Sequence, residues 1–133
     1  MRTRDDIEAY LARSRHPNRE VADQLWVVED PSGGGATVAV RLEDGLCLFR
    51  MKVLDLGTIE PAQIGAFLRA LLEFNATEMV HGAYGIADEM VVVTASLLLE
   101  NLDYNEFVGV LEEMVVTTVK HRATIATFRR EGR

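Results

Sequence analysis

The chain has 133 residues, of which 48% are hydrophobic, and its formal net charge is −7. This length suffices for one domain with a real core and is too short for two, so we expect a single domain over 1–133. The acidic balance disfavours nucleic-acid phosphates and anionic lipid, and no apolar run reaches the ~18 residues of a membrane helix, so we expect neither a nucleic-acid partner nor membrane insertion.

The first part of the chain predicts one helix followed by three strands. Ile7, Tyr10 and Leu11 recur at helical spacing within 3–14, which predicts a short amphipathic helix that ends near Pro17. The segments QLWVVED, ATVAVRL and LCLFRMKVLDL are rich in β-branched and aromatic residues and predict strands. The turn EDG joins the last two of them, so an antiparallel sheet precedes the second helix.

The second predicted helix begins at Pro61, because proline suits the first helical position, and runs to about Phe74. One of its faces is broad and apolar. The other face consists of small residues, namely Ala62, Gly65, Ala66 and Ala70. Either both faces pack within the chain, or the small face pairs with a second copy, and the sequence leaves both alternatives open.

Asn75 follows the last apolar position of this helix and is predicted to end it, because asparagine tolerates the left-handed backbone conformation. The segments ATEMVHGAYGI and MVVVTASLLL then predict two more strands, joined by the turn ADE. Gly82 and Gly85 lie in the first of these strands. Glycine within a strand indicates a β-bulge or a point where another backbone or side chain approaches closely.

The last predicted helix begins at Asp103, since Asp103 and Glu106 have the spacing of a capping box. The run VVTTV at 115–119 favours a strand by propensity, but the apolar residues around it keep helical spacing. We expect one continuous helix to Arg130, about 42 Å long. The complete prediction is an α+β fold in which three helices cover a single antiparallel five-stranded sheet, in the order α-β-β-β-α-β-β-α.

No arrangement of residues indicates catalysis or a bound metal. His16, His81 and His121 lie far apart in the sequence, and none has a second ligand at metal-site spacing. The segment SGGG at 32–35 lacks the Lys-Ser/Thr pair of a phosphate-binding loop and instead predicts a flexible hairpin connection. We therefore expect no enzyme activity, no catalytic residue, no metal and no cofactor.

Cys47 is the single cysteine of the chain and alternates with Phe49 and Met51 on an apolar strand. This pattern indicates a buried small residue rather than a nucleophile. A lone cysteine fits a reducing compartment, and the charged N-terminal residues do not form an export signal. We therefore expect a cytoplasmic protein.

Three side chains with rings are candidates for a surface that contacts a partner. Trp26 either anchors the core or lies on an exposed sheet face. His81 and Tyr84 share the glycine-containing strand, and His81 either lines a groove beside Tyr84 or is a half-buried structural histidine. The sequence does not decide between these alternatives.

The segment ALLEFNATEMVHGAYGIADEMVVVTASLLLENLDYNEF at 70–107, together with the order of the elements, resembles the YbjN-like proteins. More distantly it resembles the type III secretion chaperones of the Tir/CesT class. The most specific parts are LLEFNA, HGAYGI and ENLDYNEF. The resemblance implies a chaperone-like fold, homodimers, and a small acidic protein that binds an extended segment of a client.

We therefore expect a non-enzymatic, chaperone-like protein-binding module that forms a homodimer. Its partner-binding or dimer surface is predicted among Trp26, Ala62, Gly65, Ala66, Ala70, His81 and Tyr84. The alternative is a small regulatory or sensory domain with a ligand pocket near His81, Tyr84 and Trp26. Residues 70–119 contain no Lys or Arg and nine Asp or Glu residues, which form either a solvated surface or one that steers basic partners.

Overall fold

The computed structural model describes residues 1–30 and 35–131. The predicted glycine-rich connection at 32–35 lies outside these residues except for Gly35. The described elements follow one another as α1 (Arg4–Ser14), β1 (Asn18–Ala22), β2 (Leu25–Glu29), β3 (Thr37–Glu43), β4 (Leu46–Asp55), α2 (Ile64–Thr77), β5 (Ala83–Ala87), β6 (Met90–Leu98) and α3 (Tyr104–Ala126).

The described strands form one antiparallel sheet in the order β1-β2-β3-β4-β6-β5. The α+β class and the three helices are confirmed, but the prediction of five strands is wrong because β1 was missed. All five residues of β1 are exposed, since it is an edge strand that pairs only with β2. Such a strand has no buried face, so its sequence lacks the alternation that identifies a strand.

The core lies on the face of the sheet that α1 and α3 cover. Trp26, Val40 and Phe49 are neighbours across β2, β3 and β4, and each is at most 2% exposed. Phe107 of α3 packs on Phe49 with ring centroids 5.5 Å apart, and Tyr10 of α1 packs on Phe107 at 5.6 Å. This aromatic column joins both helices to the sheet.

The predicted bounds of α2 are wrong at both ends. Pro61–Gln63 forms a 3-10 turn, and the α-helix begins only at Ile64. At the other end, the helix continues through Asn75 to Thr77. Asn75 does not adopt the left-handed conformation. Its side chain instead bonds the backbone of β5, as described below.

The start of α3 agrees with the predicted capping box. Glu106 N–H donates to Asp103 Oδ1 at 2.8 Å, and Asp103 N–H donates to Glu106 Oε1 at 3.2 Å. The helix runs unbroken through 115–119 because tertiary packing overrides the local strand propensity. It ends at Ala126 rather than Arg130, since the following backbone turns to bond the segment before α2, with Glu60 N–H donating to Phe128 C=O at 2.9 Å.

The two glycines predicted on one strand behave differently, since Gly82 lies just before β5 and Gly85 lies within it. A Cβ on Gly82 would lie 3.1 Å from Thr94 O and 3.2 Å from a Val93 methyl carbon, so the close approach predicted there is confirmed. A Cβ on Gly85 would meet no described atom within 4 Å, so the chain itself makes no close approach there, and an approach by a second copy or a client stays a prediction. None of the helices in the described part of the chain combines the length and apolarity that crossing a bilayer requires.

Candidate functional site

A groove of ≈ 290 Å³ lies between α2 and the outermost strand β5. We call it the α2/β5 groove. Its lining is mostly apolar and comprises Leu68, Leu71, Leu72, Asn75, Tyr84, Gly85 and Ile86. Leu72 is 67% exposed and Ile86 is 48% exposed, so the groove presents apolar side chains to solvent.

Asn75 closes the outer edge of β5 at Tyr84. Its Oδ1 accepts a hydrogen bond from Tyr84 N–H at 2.7 Å, and its Nδ2 donates to Tyr84 C=O at 3.1 Å. A side-chain amide thus replaces the neighbouring strand that an edge strand lacks. This contact fastens α2 to the sheet and corrects the prediction that Asn75 ends the helix.

The backbone of Ile86 is the next free position on this edge. Tyr84 bonds Asn75 on the side away from β6, and backbone groups two residues apart in a strand point in the same direction. Ile86 therefore directs its N–H and C=O out of the sheet beside its own half-exposed side chain. The groove thus combines an apolar surface with the outward-facing backbone N–H and C=O of Ile86.

Buried contacts with α3 fix the floor of the groove. The Tyr84 hydroxyl lies 2.8 Å from His121 Nδ1, and the ring of Phe74 stacks on His121 with centroids 3.8 Å apart. Glu78 Oε1 lies 3.4 Å from His121 Nε2. Burial of the phenol, with a smaller contribution from Glu78, raises the pKa of Tyr84, so the hydroxyl stays protonated at neutral pH.

His81 lies in the loop before β5 and not on the strand, because β5 begins only at Ala83. Glu113 of α3 holds this loop. Its Oε1 accepts from Val80 N–H at 2.8 Å and from His81 N–H at 3.2 Å, and its Oε2 lies 2.5 Å from His81 Nδ1. The observed strand β5 therefore begins later in the chain than the sequence predicts.

The contacts of Glu113 predict a pH-dependent contribution to stability. Burial raises the pKa of this carboxyl, but hydrogen bonds from the His81 ring and from the N–H groups of Val80 and His81 outweigh burial, and the pKa is lowered overall. A carboxyl with a lowered folded pKa stabilises the fold above its unfolded pKa of about 4.3. That contribution is lost as the pH falls through the folded pKa.

We expect Glu113→Gln to lower the free energy of unfolding by about 1 kcal/mol at pH 7, because solvent partly screens the carboxylate. The difference from the native protein should shrink as the pH falls below about 4.3. Urea denaturation at pH 7 and at successively lower pH measures both quantities. A difference that stays constant over this range would contradict the role assigned to the carboxylate.

The structure separates the three predicted ring-bearing residues. Trp26 is 2% exposed and belongs to the core, so a partner cannot reach it in the folded chain. Its strand β2 is separated from β5 by β3, β4 and β6, a distance of roughly 19 Å at the usual strand spacing. The predicted pocket near His81, Tyr84 and Trp26 is therefore wrong, although Tyr84 does line the α2/β5 groove.

The small face of α2 is mostly uncovered. Gly65 and Ala66 are exposed, Ala70 is half-buried, and Ala62 is exposed but lies in the 3-10 turn before the helix. A Cβ built on Gly65 would meet no atom within 4 Å. Of the two alternatives left open by the sequence, packing of both faces within the chain is not observed for the described residues.

The chemistry available at these positions is limited. Cys47 is fully buried, and burial raises the pKa of its thiol to about 12, so it is not a thiolate at neutral pH. In 1–30 and 35–131, no group of three or more His, Cys, Asp or Glu side chains is placed to hold a metal ion.

Sequence reasoning missed the residues that shape the groove. Leu72 follows Leu71 directly, and adjacent helical residues point about 100° apart. The pair LL therefore places one leucine off the buried stripe, a signal that identifies Leu72 as an exposed apolar residue. Ile86 and the role of Asn75 have no comparable local signal.

Comparison with known proteins supports the fold that the sequence resemblance implied. The sequence pattern of the CesT_Tir_1 family matches residues 1–131. No curated protein sequence matches the chain. Several solved structures share the fold, which confirms the YbjN-like and type III secretion chaperone-like prediction.

Three of these structures cover most of the chain. YbjN from E. coli is 16% identical, with a TM-score of 0.66, over 92% of this chain and 93% of that one. A chain of the heterodimeric ExoU–SpcU complex, from the type III secretion system of Pseudomonas aeruginosa, is 12% identical, with a TM-score of 0.69, over 93% and 98%. A chain of the complex between the Yersinia pestis type III secretion chaperone SycH and a stable fragment of YscM2 is 12% identical, with a TM-score of 0.62, over 87% and 96%. Identities this low establish a shared fold and no more.

Proposed function

This chain belongs to the CesT_Tir_1 family, and we propose that it is a non-enzymatic, chaperone-like protein that binds an extended segment of a partner protein in the cytoplasm. The observation that carries the proposal is the α2/β5 groove, where exposed Leu72 and Ile86 flank a strand edge with free backbone groups. Two structural neighbours support it, because ExoU–SpcU is a heterodimeric complex and SycH was solved with a fragment of YscM2.

The groove suits a partner that supplies both an apolar side chain and an extended backbone. The side chain would cover Leu72, and the backbone would bond the free N–H and C=O of Ile86, as in strand addition at a sheet edge. Asn75 already occupies the edge at Tyr84, so strand pairing can extend only from Ile86 onward. We therefore propose a short stretch of backbone pairing next to an apolar contact.

The size of the apolar surface indicates how much of the partner must bind. Covering the exposed parts of Leu72 and Ile86 contributes about 2 to 3 kcal/mol together. Micromolar affinity requires about 8 kcal/mol after the cost of association. The partner segment must therefore contact further surface, which favours an extended segment over a single short peptide motif.

Charge adds a second requirement for the partner. Residues 70–119 contain no Lys or Arg and nine Asp or Glu residues. This range covers the part of α2 that follows Arg69, all of β5 and β6, and about two-thirds of α3. A basic partner segment would be steered toward this surface, and its association would slow as salt is added. We propose a segment with interspersed apolar and basic residues.

A capture experiment tests this function. The tagged protein is crosslinked in its native organism, and mass spectrometry identifies both the partner and the contact positions. Peptides from the crosslinked segment are then titrated at 50 mM and 300 mM salt. The proposal requires contacts at the α2/β5 groove and weaker binding at the higher salt. Contacts that lie only outside the α2/β5 groove would contradict it.

We further propose that the protein forms a homodimer through the small face of α2. Gly65 and Ala66, with Ala62 in the 3-10 turn before them, leave the backbone accessible, and small side chains let two helices approach closely. Arg69 and Glu73 lie on the same side of the helix, toward its C-terminal end, and form an exposed 3.3 Å ion pair.

We expect Ala66→Glu to convert the dimer to a monomer, because a carboxylate at the centre of the close contact would be desolvated without a partner. Light scattering at tens of micromolar should give twice the chain mass for the native protein and the chain mass for the variant. Ala123→Glu introduces the same charge at an exposed position of α3 and should remain dimeric. A native protein that is monomeric at this concentration would overturn the dimer.

A further inference from the structure

A cavity of ≈ 260 Å³ lies between the end of β4 and the end of α3, away from the α2/β5 groove. It exists because the strands separate there. The pairing of β3 with β4 extends only to Ala39 opposite Arg50, whereas β4 continues to Asp55. The register with β6 also shifts between Lys52 and Leu54, which marks a β-bulge at Val53. The last turns of α3 cover the resulting opening.

The lining of this cavity combines apolar and cationic side chains. Met51, Leu54 and Ile125 form the apolar part. Lys52, Arg122 and Arg129 supply the cations. Lys52 Nζ is paired with Asp55 at 3.0 Å, but neither arginine forms an ion pair with any described carboxylate. This is unexpected in a chain with 21 acidic and 14 basic residues.

Arg129 is the more informative of the two arginines. Its Nε is closed off from solvent and has no hydrogen-bond acceptor. Buried donors in folded proteins are almost always paired, and an unpaired donor on a charged group is especially unfavourable. An unpaired guanidinium donor beside a cavity therefore indicates a missing acceptor.

The helix dipole does not account for this arrangement. The C-terminal end of α3 carries a partial charge of about −0.5, which favours nearby cations. The last turn of α3 contains no basic residue, and a partial charge of this kind does not require a guanidinium Nε to be buried. Two full positive charges also exceed it, so the local field in the cavity favours an anion.

We propose that this cavity binds a small oxyanion, a carboxylate or a phosphate group, through the guanidinium groups of Arg122 and Arg129. Guanidinium matches the geometry of both groups, because its N–H donors can bond two oxygens at once. The volume is just below the usual range of ligand pockets, about 300 to 1,000 Å³, which excludes a nucleotide. Met51 and Leu54 leave room for a short apolar chain on the anion.

Two-dimensional NMR titration of the full chain tests the proposal. Sodium phosphate and sodium butyrate are added separately, with sodium chloride at matched ionic strength as the reference. We expect saturable shifts confined to the cavity residues, including the Nε–H signal of Arg129, for at least one of the two anions. Phosphate alone would assign a phosphate ligand, and butyrate alone a carboxylate.

Three variants separate a defined site from general charge effects. Arg129→Gln should abolish saturable binding, and Arg122→Gln should raise the dissociation constant at least tenfold. Because Arg122 is exposed, its variant keeps the test valid even if Arg129→Gln does not fold. Arg19→Gln removes one exposed positive charge from β1, outside the cavity, and should change binding less than twofold.

Shifts that rise linearly without saturation for both anions would overturn the site. Saturable binding that Arg122→Gln and Arg19→Gln weaken equally would overturn it as well. Neither result bears on partner binding at the α2/β5 groove, which uses different residues.

Discussion

Replacing Asn75 with alanine is expected to lower the free energy of unfolding by about 2 to 4 kcal/mol. The substitution removes both hydrogen bonds between the Asn75 amide and the backbone of Tyr84. Tyr84 is only 6% exposed, so water replaces these bonds poorly and its N–H and C=O lose their partners. The same bonds attach α2 to the sheet edge, so the α2/β5 groove should also become more mobile.

Urea denaturation followed by circular dichroism measures this loss. Thr77→Ala is the matched control, because the Thr77 hydroxyl bonds only the Glu73 carbonyl on an exposed helix surface, and we expect it to cost less than about 0.5 kcal/mol. Asn75→Asp keeps the acceptor for Tyr84 N–H but loses the donor to its carbonyl, so its effect should be close to that of alanine or larger. Equal stability of the Asn75→Ala and Thr77→Ala variants would show that the amide does not fasten the strand.

The second large effect concerns binding rather than stability. Leu72→Glu is expected to weaken the complex with the partner segment about 100-fold, which corresponds to about 2.7 kcal/mol. The substitution removes the most exposed apolar side chain of the groove and places a carboxylate where the partner's apolar side chain would bind. Because Leu72 is 67% exposed, the free energy of unfolding should change by less than about 0.5 kcal/mol.

Leu98→Glu is a close control for this prediction. Leu98 is 68% exposed and lies near the end of β6, outside the groove lining. Leu98→Glu changes the charge and the exposed apolar surface by the same amount as Leu72→Glu, but outside the groove. We therefore expect it to change the dissociation constant less than threefold. Fluorescence anisotropy with a labelled partner peptide gives both constants. Equal weakening by the two variants would indicate a general effect of charge.

The elements that the sequence predicted well depend on short-range chemistry. The capping box of Asp103 and Glu106 spans three residues and fixes the start of α3. The turn at Asp44 and Gly45 has positive φ angles of 51° and 79°, as its sequence predicts for a tight hairpin. In both cases the residues that decide the structure are adjacent in the chain.

The features that were missed depend on contacts between distant segments. Asparagine is a residue type that often ends helices, which is why Asn75 was predicted to do so. Its side chain can bond the Tyr84 backbone only once β5 lies beside α2. Strand β1 has no buried face, so it is visible only through its pairing with β2. The cavity beside Arg122 and Arg129 depends on a bulge in β4, which sequence periodicity does not reveal.

Site-specific photocrosslinking tests the central claim, that the α2/β5 groove contacts another protein. A photoreactive amino acid replaces Leu72 in one variant and Leu98 in another, and both are expressed in the native organism. These positions are 67% and 68% exposed, so random encounters should label them equally. We expect crosslinks to a partner chain from position 72 to exceed those from position 98 at least fivefold. Equal yields at the two positions, or a higher yield at position 98, would contradict the account.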